Sequence, residues 1–164
     1  MLAEPAPSEY RVEKRRAEAV LTLSNGHSVA GCFFVAGGSA RHDGPERVGD
    51  VLNAEDGFFP FEISDADGVQ TILLHRNHVV MVELGESEAN RDPGYGVARP
   101  RTVSLLLASG RRLSGVVRVY RPEGRDRLSD WAHHGERFRY VETPRAEVVV
   151  NIDHVLEARE VPSR

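Results

Sequence analysis

The chain has 164 residues and a formal net charge of -4 at pH 7, so it lacks an overall positive field that would hold a phosphate backbone. A hydrophobic fraction of 40% and a charged fraction of 28% are typical of a globular protein and exclude an intrinsically disordered chain. The single cysteine, Cys32, excludes a disulfide framework within the chain and favours a reducing compartment.

Residues 1–18 are predicted to form an N-terminal segment. The stretch SEYRVEKRRAEA, with Ser8 as its cap, predicts a short helix, although the consecutive Arg15 and Arg16 fit the beginning of a strand equally well. Glu4 stands where a signal peptide needs a basic region, and no later segment is apolar for long enough to span a bilayer. We therefore expect a cytoplasmic protein without a membrane partner.

Residues 19–84 are predicted to form five short strands, because apolar and polar residues alternate there with a period of two. Leu21 and Leu23 show this alternation in the first strand, and the Asn-Gly pair that follows predicts a hairpin turn. A loop rich in glycine and charge, AGGSARHDGPERVGD, separates the hairpin from three further strands. We expect those strands around residues 58–63, in VQTILL and in HVVMVEL.

The second strand of this unit contains a glycine, Gly31, where glycine costs stability unless the strand bends sharply or admits another backbone closely. Gly115 repeats the feature in the second half of the chain. A strongly bent strand at a repeated position, within a set of five short strands, predicts a small closed barrel.

The chain contains an internal duplication. Residues 85–100, GESEANRDPGYGVARP, have the composition of a linker, and residues 101–161 repeat the preceding unit. AVLTLSNGHSVAGCFFV aligns with VSLLLASGRRLSGVVRV, and ILLHRNHVVMV aligns with VVVNIDHVLEA. The expected fold is therefore all-β, with two tandem, strongly bent, five-stranded barrels and a short N-terminal helix.

Each copy resembles the Sm-like family of small bent five-stranded barrels. The resemblance lies in the run hydrophobic-x-Leu-x-x-Gly-x-x-hydrophobic-x-Gly-x-hydrophobic and in closing blocks such as LLHRNHVVMV. It implies ring assembly, in which the fourth strand of one barrel pairs with the fifth strand of the next, and RNA held near two loops. By this resemblance Asp50, Asn53 and Arg76 are the RNA-binding candidates, whereas the second copy has Asp130, His133 and Ile152-Asp153 at the matching positions.

An Arg-x-x-Asp pattern occurs once in each copy, as Arg47 with Asp50 and as Arg127 with Asp130. An arginine, an aspartate and nearby histidines are compatible with an acid-base pair. The repetition favours architecture instead, since both copies need a turn clamp or salt bridge, while a catalytic site needs only one copy. His78 and His154 form another repeated pair, and each is expected to start the last strand of its copy and to hydrogen-bond locally.

The sequence contains no motif that indicates catalysis, a metal or a cofactor. His75 and His78 lie at a predicted turn without accompanying ligands, and Cys32 lies inside a strand, where a buried thiol is expected. No nucleophile elbow, phosphate-binding glycine loop or dinucleotide fingerprint is present. Acidic residues interleave both basic runs, so these runs predict solvated faces. We therefore predict a protein that is not an enzyme and needs no cofactor.

Two strands are apolar on both of their faces, and a small barrel has only one interior. Residues 32–35 and 79–82 show this pattern, so another surface is expected to cover one face of each strand. The first functional hypothesis is a non-enzymatic assembly or scaffold module that associates with itself or with another protein. The alternative is an RNA-binding module that uses Asp50, Asn53 and Arg76. An enzyme remains a third hypothesis without a supporting constellation.

Overall fold

The computed structural model describes residues 14–39, 42, 44–120, 124, 127–133 and 135–162, and these residues are mostly β. The elements of the first copy are β1 (Lys14–Leu23), β2 (Ser28–Ala36), α1 (Val48–Asn53), β3 (Phe58–Asp65), β4 (Gly68–His75) and β5 (Val79–Leu84). Those of the second are β6 (Arg99–Leu107), β7 (Arg112–Val119), α2 (Leu128–His133), β8 (Phe138–Glu142), β9 (Glu147–Asn151) and β10 (Val155–Glu160). Short 3-10 turns lie at Arg76–His78, Ala89–Arg91 and Ile152–His154.

All ten described strands belong to one antiparallel sheet in the order β10-β6-β7-β8-β9-β5-β1-β2-β3-β4. Each copy contributes five neighbouring strands in the same internal order, and the copies meet where β9 pairs with β5. The prediction of an all-β fold is confirmed. The sheet is open, however, because β4 and β10 lie at its two edges, so strand pairing does not close either copy into a barrel.

Two hydrophobic cores lie along this sheet. The first contains Leu21, Phe33, Phe61 and Val82, which come from β1, β2, β3 and β5. Since side chains from four neighbouring strands of the sheet meet in one cluster, this half of the sheet curves around its own core. The second core has the same construction and includes residues of β6, β7 and β8.

The bend predicted at Gly31 coincides with a close approach of two backbones. A Cβ atom on Gly31 would lie 2.0 Å from the carbonyl oxygen of Glu62, and one on Gly115 would lie 2.6 Å from that of Glu142. No side chain fits between β2 and β3 or between β7 and β8 at these points. The repeated glycines therefore let each copy curve tightly around its core.

Equivalent hydrogen bonds support the duplication. The N–H group of Ser24 donates to the carbonyl oxygen of His78, and that of Ala108 donates to the carbonyl oxygen of His154, both at 2.8 Å. The pairing of β1 with β5 and that of β6 with β10 are also interrupted by irregularities at matching positions. The two copies therefore share their backbone detail as well as their strand order.

Three local predictions need correction. Residues 14–18 belong to β1, so the predicted N-terminal helix is wrong there, and residues 1–13 lie outside the described part of the chain. The predicted linker, residues 85–100, overlaps the next strand by two residues, because β6 begins at Arg99. The predicted loop before β3 ends in α1, a helix begun by a hydrogen bond from the N–H group of Arg47 to Asp50 Oδ2 at 2.8 Å.

Candidate assembly site

The junction between the two copies buries side chains of each copy in the core of the other. β5 pairs with β9 in the register Met81↔Val150, Val82↔Val149 and Glu83↔Val148. Val149 of the second copy packs into the first core, whereas Val80 and Met81 of the first copy pack into the second. This exchange explains why residues 79–82 are apolar on both faces of their strand.

Two asparagines hydrogen-bond across the junction. Asn53 donates from Nδ2 to the carbonyl oxygen of Phe138 and accepts the N–H group of the same residue at Oδ1, both at 2.9 Å. Asn151, which is fully buried, donates from Nδ2 to the carbonyl oxygen of Val79 at 2.9 Å. Each asparagine thus satisfies backbone groups of the other copy at the junction.

The segment between the copies is packed against both of them through two buried carboxylates. Glu88 accepts hydrogen bonds from the N–H group of Val48 at 2.8 Å and from the hydroxyl of Tyr140 at 3.1 Å. Glu147 accepts the N–H groups of Glu88 and Ala89 at 2.6 and 2.9 Å. The predicted linker is therefore an ordered part of the junction.

The buried Glu88 carboxyl makes the stability of the fold depend on pH. Burial raises its pKa from an ordinary 4.5 to about 7, although hydrogen bonds from Val48 and Tyr140 oppose this shift. Below pH 4.5 the carboxyl is protonated in both the folded and the unfolded chain. As the pH rises from 4.5 to about 7, the unfolded chain loses this proton first, so the free energy of unfolding falls.

Glu88→Gln is expected to remove this pH dependence. Its free energy of unfolding should match that of the wild type near pH 4.5 and exceed it by about 3 kcal/mol at pH 8, because an amide carries no ionisation cost. Urea denaturation at both pH values measures the difference. Glu86→Gln, an exposed neighbour, is the matched control and should follow the wild type at each pH. A Glu88→Gln profile parallel to that of the wild type would contradict the assignment.

The two edge strands expose apolar residues at positions that the junction buries. In the repeat, Leu73 of β4 corresponds to Val149 and Leu156 of β10 corresponds to Val80. Val149 and Val80 are 0% and 1% exposed, whereas Leu73 and Leu156 are 64% and 67% exposed. β4 is the fourth strand of its copy and β10 the fifth, which are the same strand positions that meet in the internal junction between β9 and β5.

Comparison with family models, curated proteins and solved structures gives no match. In the described ranges, no helix is long and apolar enough to cross a membrane. Within that same part of the chain, no group of three or more His, Cys, Asp and Glu side chains is arranged to hold a metal ion.

The Arg-x-x-Asp residues lie at the beginnings of the two helices. Asp50 Oδ2 accepts the N–H group of Arg47 at 2.8 Å, and Asp130 Oδ2 accepts that of Arg127 at 3.0 Å. Asp50 also lies 2.6 Å from His42 Nε2, and its hydrogen bonds lower the pKa of its carboxyl although burial opposes this. Both aspartates thus cap backbone N–H groups in the same way.

The RNA-binding candidates lie close together, but other protein groups engage their side chains. Arg76 is 3% exposed, and its guanidinium donates to the carbonyl oxygens of Val51, Leu52 and Phe58 at 2.8, 3.2 and 2.7 Å. Desolvation by this burial lowers the pKa of Arg76. Asp50 caps α1, and Asn53 bridges to the second copy. RNA binding by these residues stays a prediction.

The paired histidines hold the last strands of the two copies. His78 Nδ1 lies 2.9 Å from the hydroxyl of Ser24, and His154 Nε2 lies 2.7 Å from the carbonyl oxygen of Asn77, across the junction. Each histidine ends the 3-10 turn that precedes its strand. The local hydrogen bond expected for each histidine is therefore present for His78, whose partner lies in its own copy. The partner of His154 lies in the other copy instead.

A cavity of ≈ 640 Å³ opens beside the junction, between α1 and the second copy. Two ion pairs line it, since Arg47 contacts Asp50 at 3.5 Å and Arg118 contacts Glu142 at 3.0 Å. No sequence pattern predicts this cavity, because α1 and β8 are far apart in the chain. The hydrogen bond between Glu88 and Tyr140 could not be predicted for the same reason, since these residues meet only because the two copies pair.

Proposed function

We propose that this protein is a non-enzymatic assembly module whose copies join head to tail. β4 of one chain pairs with β10 of the next, in the manner of β9 with β5 inside each chain. Every chain then supplies two consecutive five-stranded units of the Sm-like type to a closed ring in the cytoplasm. The observation that carries the proposal is that the open edges carry Leu73 and Leu156 where the internal junction buries Val149 and Val80.

Complementarity of the two edges favours another copy of this chain as the partner. Leu73 would enter the second core of the next chain, and Leu156 would enter the first core of the preceding one. Burying a leucine contributes about 1.5 to 3 kcal/mol, so each contact between chains gains a substantial apolar term. Among the described strands, β4 and β10 each have a neighbour on one side only, which makes strand addition favourable.

The mass of the purified, nuclease-treated protein tests this proposal. Size-exclusion chromatography with light scattering, near pH 8 and at tens of micromolar protein, is expected to give a multiple of the 18.2 kDa chain mass. Nuclease treatment should leave the mass unchanged, since backbone pairing and apolar burial hold the chains together. A mass of 18.2 kDa under these conditions would contradict head-to-tail assembly.

A further inference from the structure

We infer that His75 and His133 hydrogen-bond across the contact between chains and that this contact holds only while both imidazoles are neutral. The inference rests on the proposed head-to-tail assembly, because β4 must pair with β10 before either histidine meets the next chain. It goes beyond that assembly in two respects, because it names the two side chains that bridge the chains and the protonation state that they require.

The repeat places these histidines at the positions of the two bridging asparagines. Within the chain, Asn53 bonds to both backbone groups of Phe138, and Asn151 donates across β9 and β5. The equivalent of Asn53 in the second copy is His133, and the equivalent of Asn151 in the first copy is His75. The contact between chains therefore has histidine at both positions where the internal junction has asparagine.

His133 has the hydrogen-bonding state that its expected partner needs. The partner is Phe58 of the preceding chain, the equivalent of Phe138, and its carbonyl oxygen already accepts from Arg76 Nη1 of its own chain at 2.7 Å. Only an acceptor for the N–H group of Phe58 is then required. His133 Nδ1 lies 2.7 Å from the carbonyl oxygen of Ser129, which can only accept, so Nδ1 carries the proton and Nε2 offers its lone pair.

His75 has the opposite tautomer and supplies a donor. The backbone N–H group of Asn77 donates to His75 Nδ1 at 3.1 Å, so the ring proton lies on Nε2. Asn151 has the same arrangement, since its Oδ1 accepts an N–H group of its own turn while Nδ2 donates to the carbonyl oxygen of Val79. By equivalence, His75 Nε2–H donates to the carbonyl oxygen of Val155 in the next chain.

A second proton on either ring removes one of these hydrogen bonds. On His75 it would place an Nδ1–H group against the N–H group of Asn77, and on His133 it would place an Nε2–H group against that of Phe58. Both changes set a donor against a donor and bring a cation into the contact. Histidine is the side chain that changes its charge in mild acid, so mild acid should separate the chains.

The other ionisable groups at the contact do not reverse this direction. They are Asp56, Arg76 and His78 of the chain that gives His75, Glu136, Asp153 and His154 of the chain that gives His133, and Arg137 of both chains. The Asp56 and Asp153 side chains are 101% and 64% exposed and lie 3.8 and 3.0 Å from the Arg137 guanidinium, so solvent, salt and this cation weaken their attraction for an imidazolium. The ring of His78 lies 5.7 Å from that of His75, and its own protonation adds repulsion.

Acid does not weaken the fold through Glu88. The raised pKa of that carboxyl makes the folded chain more stable as the pH falls from about 7 to 4.5. Loss of assembly over this range therefore points to the contact between chains, and circular dichroism at each pH verifies that the fold persists.

The test compares assembly near pH 8 and near pH 5.5 by analytical ultracentrifugation at constant salt, for three proteins. The wild type is expected to assemble at the higher pH and to associate about 30-fold more weakly at the lower one. The double variant His75→Asn, His133→Asn carries the residues of the internal junction and should assemble equally at both. His27→Asn, in the exposed β1–β2 turn, is the matched control and should behave as the wild type.

Each departure from these results has one meaning. A wild type that assembles equally at both pH values overturns the histidine inference and leaves head-to-tail assembly intact. A double variant that separates in acid as the wild type does also overturns it, because another group then carries the pH dependence. A wild type that is a single chain near pH 8 overturns the proposed function itself.

Discussion

Leu73→Glu and Leu156→Lys are each expected to reduce the assembled protein to single chains. Both leucines are more than half exposed in the isolated chain, so either change leaves its two cores intact. In the assembly each leucine would be buried in the core of a neighbouring chain, where a charge has no partner. We expect association to weaken by about 100-fold or more, from lost apolar burial and the cost of an unpaired charge.

Mixing these two variants distinguishes head-to-tail pairing from other arrangements. The Leu73→Glu chain keeps an intact β10, and the Leu156→Lys chain keeps an intact β4. Equal amounts should therefore form a dimer of one chain of each kind, which cannot grow because both outer edges are blocked. If β4 paired with β4 instead, the Leu156→Lys protein alone would dimerise, and light scattering would show this at once.

Val97→Lys is the control for the effect of charge at an exposed apolar residue. Val97 is 86% exposed and lies outside the strands, so its replacement should leave the assembly unchanged. Assembly that survives both edge substitutions, or that Val97→Lys destroys equally, would contradict the assignment of β4 and β10.

Gly31→Ala is expected to have the largest effect on the stability of the fold. The added Cβ atom would lie 2.0 Å from the carbonyl oxygen of Glu62 and 2.7 Å from the ring of Phe61, so the backbones of β2 and β3 must separate. Displacing paired strands over a packed core costs about 3 kcal/mol. Urea denaturation near pH 8 measures this loss as a lower transition midpoint at unchanged slope.

Gly37→Ala provides the comparison for this substitution. A Cβ atom at Gly37, just beyond β2, meets nothing within 4 Å, so its effect should stay within about 0.5 kcal/mol. Gly115→Ala repeats the first test in the second copy, where the Cβ atom would lie 2.6 Å from the carbonyl oxygen of Glu142. Wild-type stability of Gly31→Ala would show that the strands are not in close contact at the bend.

The strands were predictable from the sequence because their signals are local. Alternating apolar residues and the Asn25-Gly26 turn predict β1 and β2, and the repeat transfers the prediction to the second copy. The helix α1 was not predicted, because its six residues are too few to show a helical repeat of apolar residues. The beginning of β1 was missed because Lys14, Arg15 and Arg16 pair with β2 without an apolar face of their own.

The assembly site was only partly predictable, because it depends on how the copies meet. The apolar run at residues 79–82 predicted a covering surface but not which surface. The repeat places His133 where the first copy has Asn53, but nothing else in the sequence connects this difference with a contact. The connection lies in the hydrogen bonds that Asn53 and Asn151 make between the copies, and these bonds depend on how the two copies meet.

Cysteines placed in register on the two edges test the central claim most directly. In the internal junction Val82 faces Val149, so Leu73 of one chain should face Ala158 of the next. With Cys32→Ser as background, Leu73→Cys together with Ala158→Cys is expected to give a ladder of covalent multimers on mild oxidation near pH 8. Pairing Leu73→Cys with Arg159→Cys, one residue out of register, should give far less. Single chains only, or equal ladders from both pairs, would contradict the proposed junction between β4 and β10.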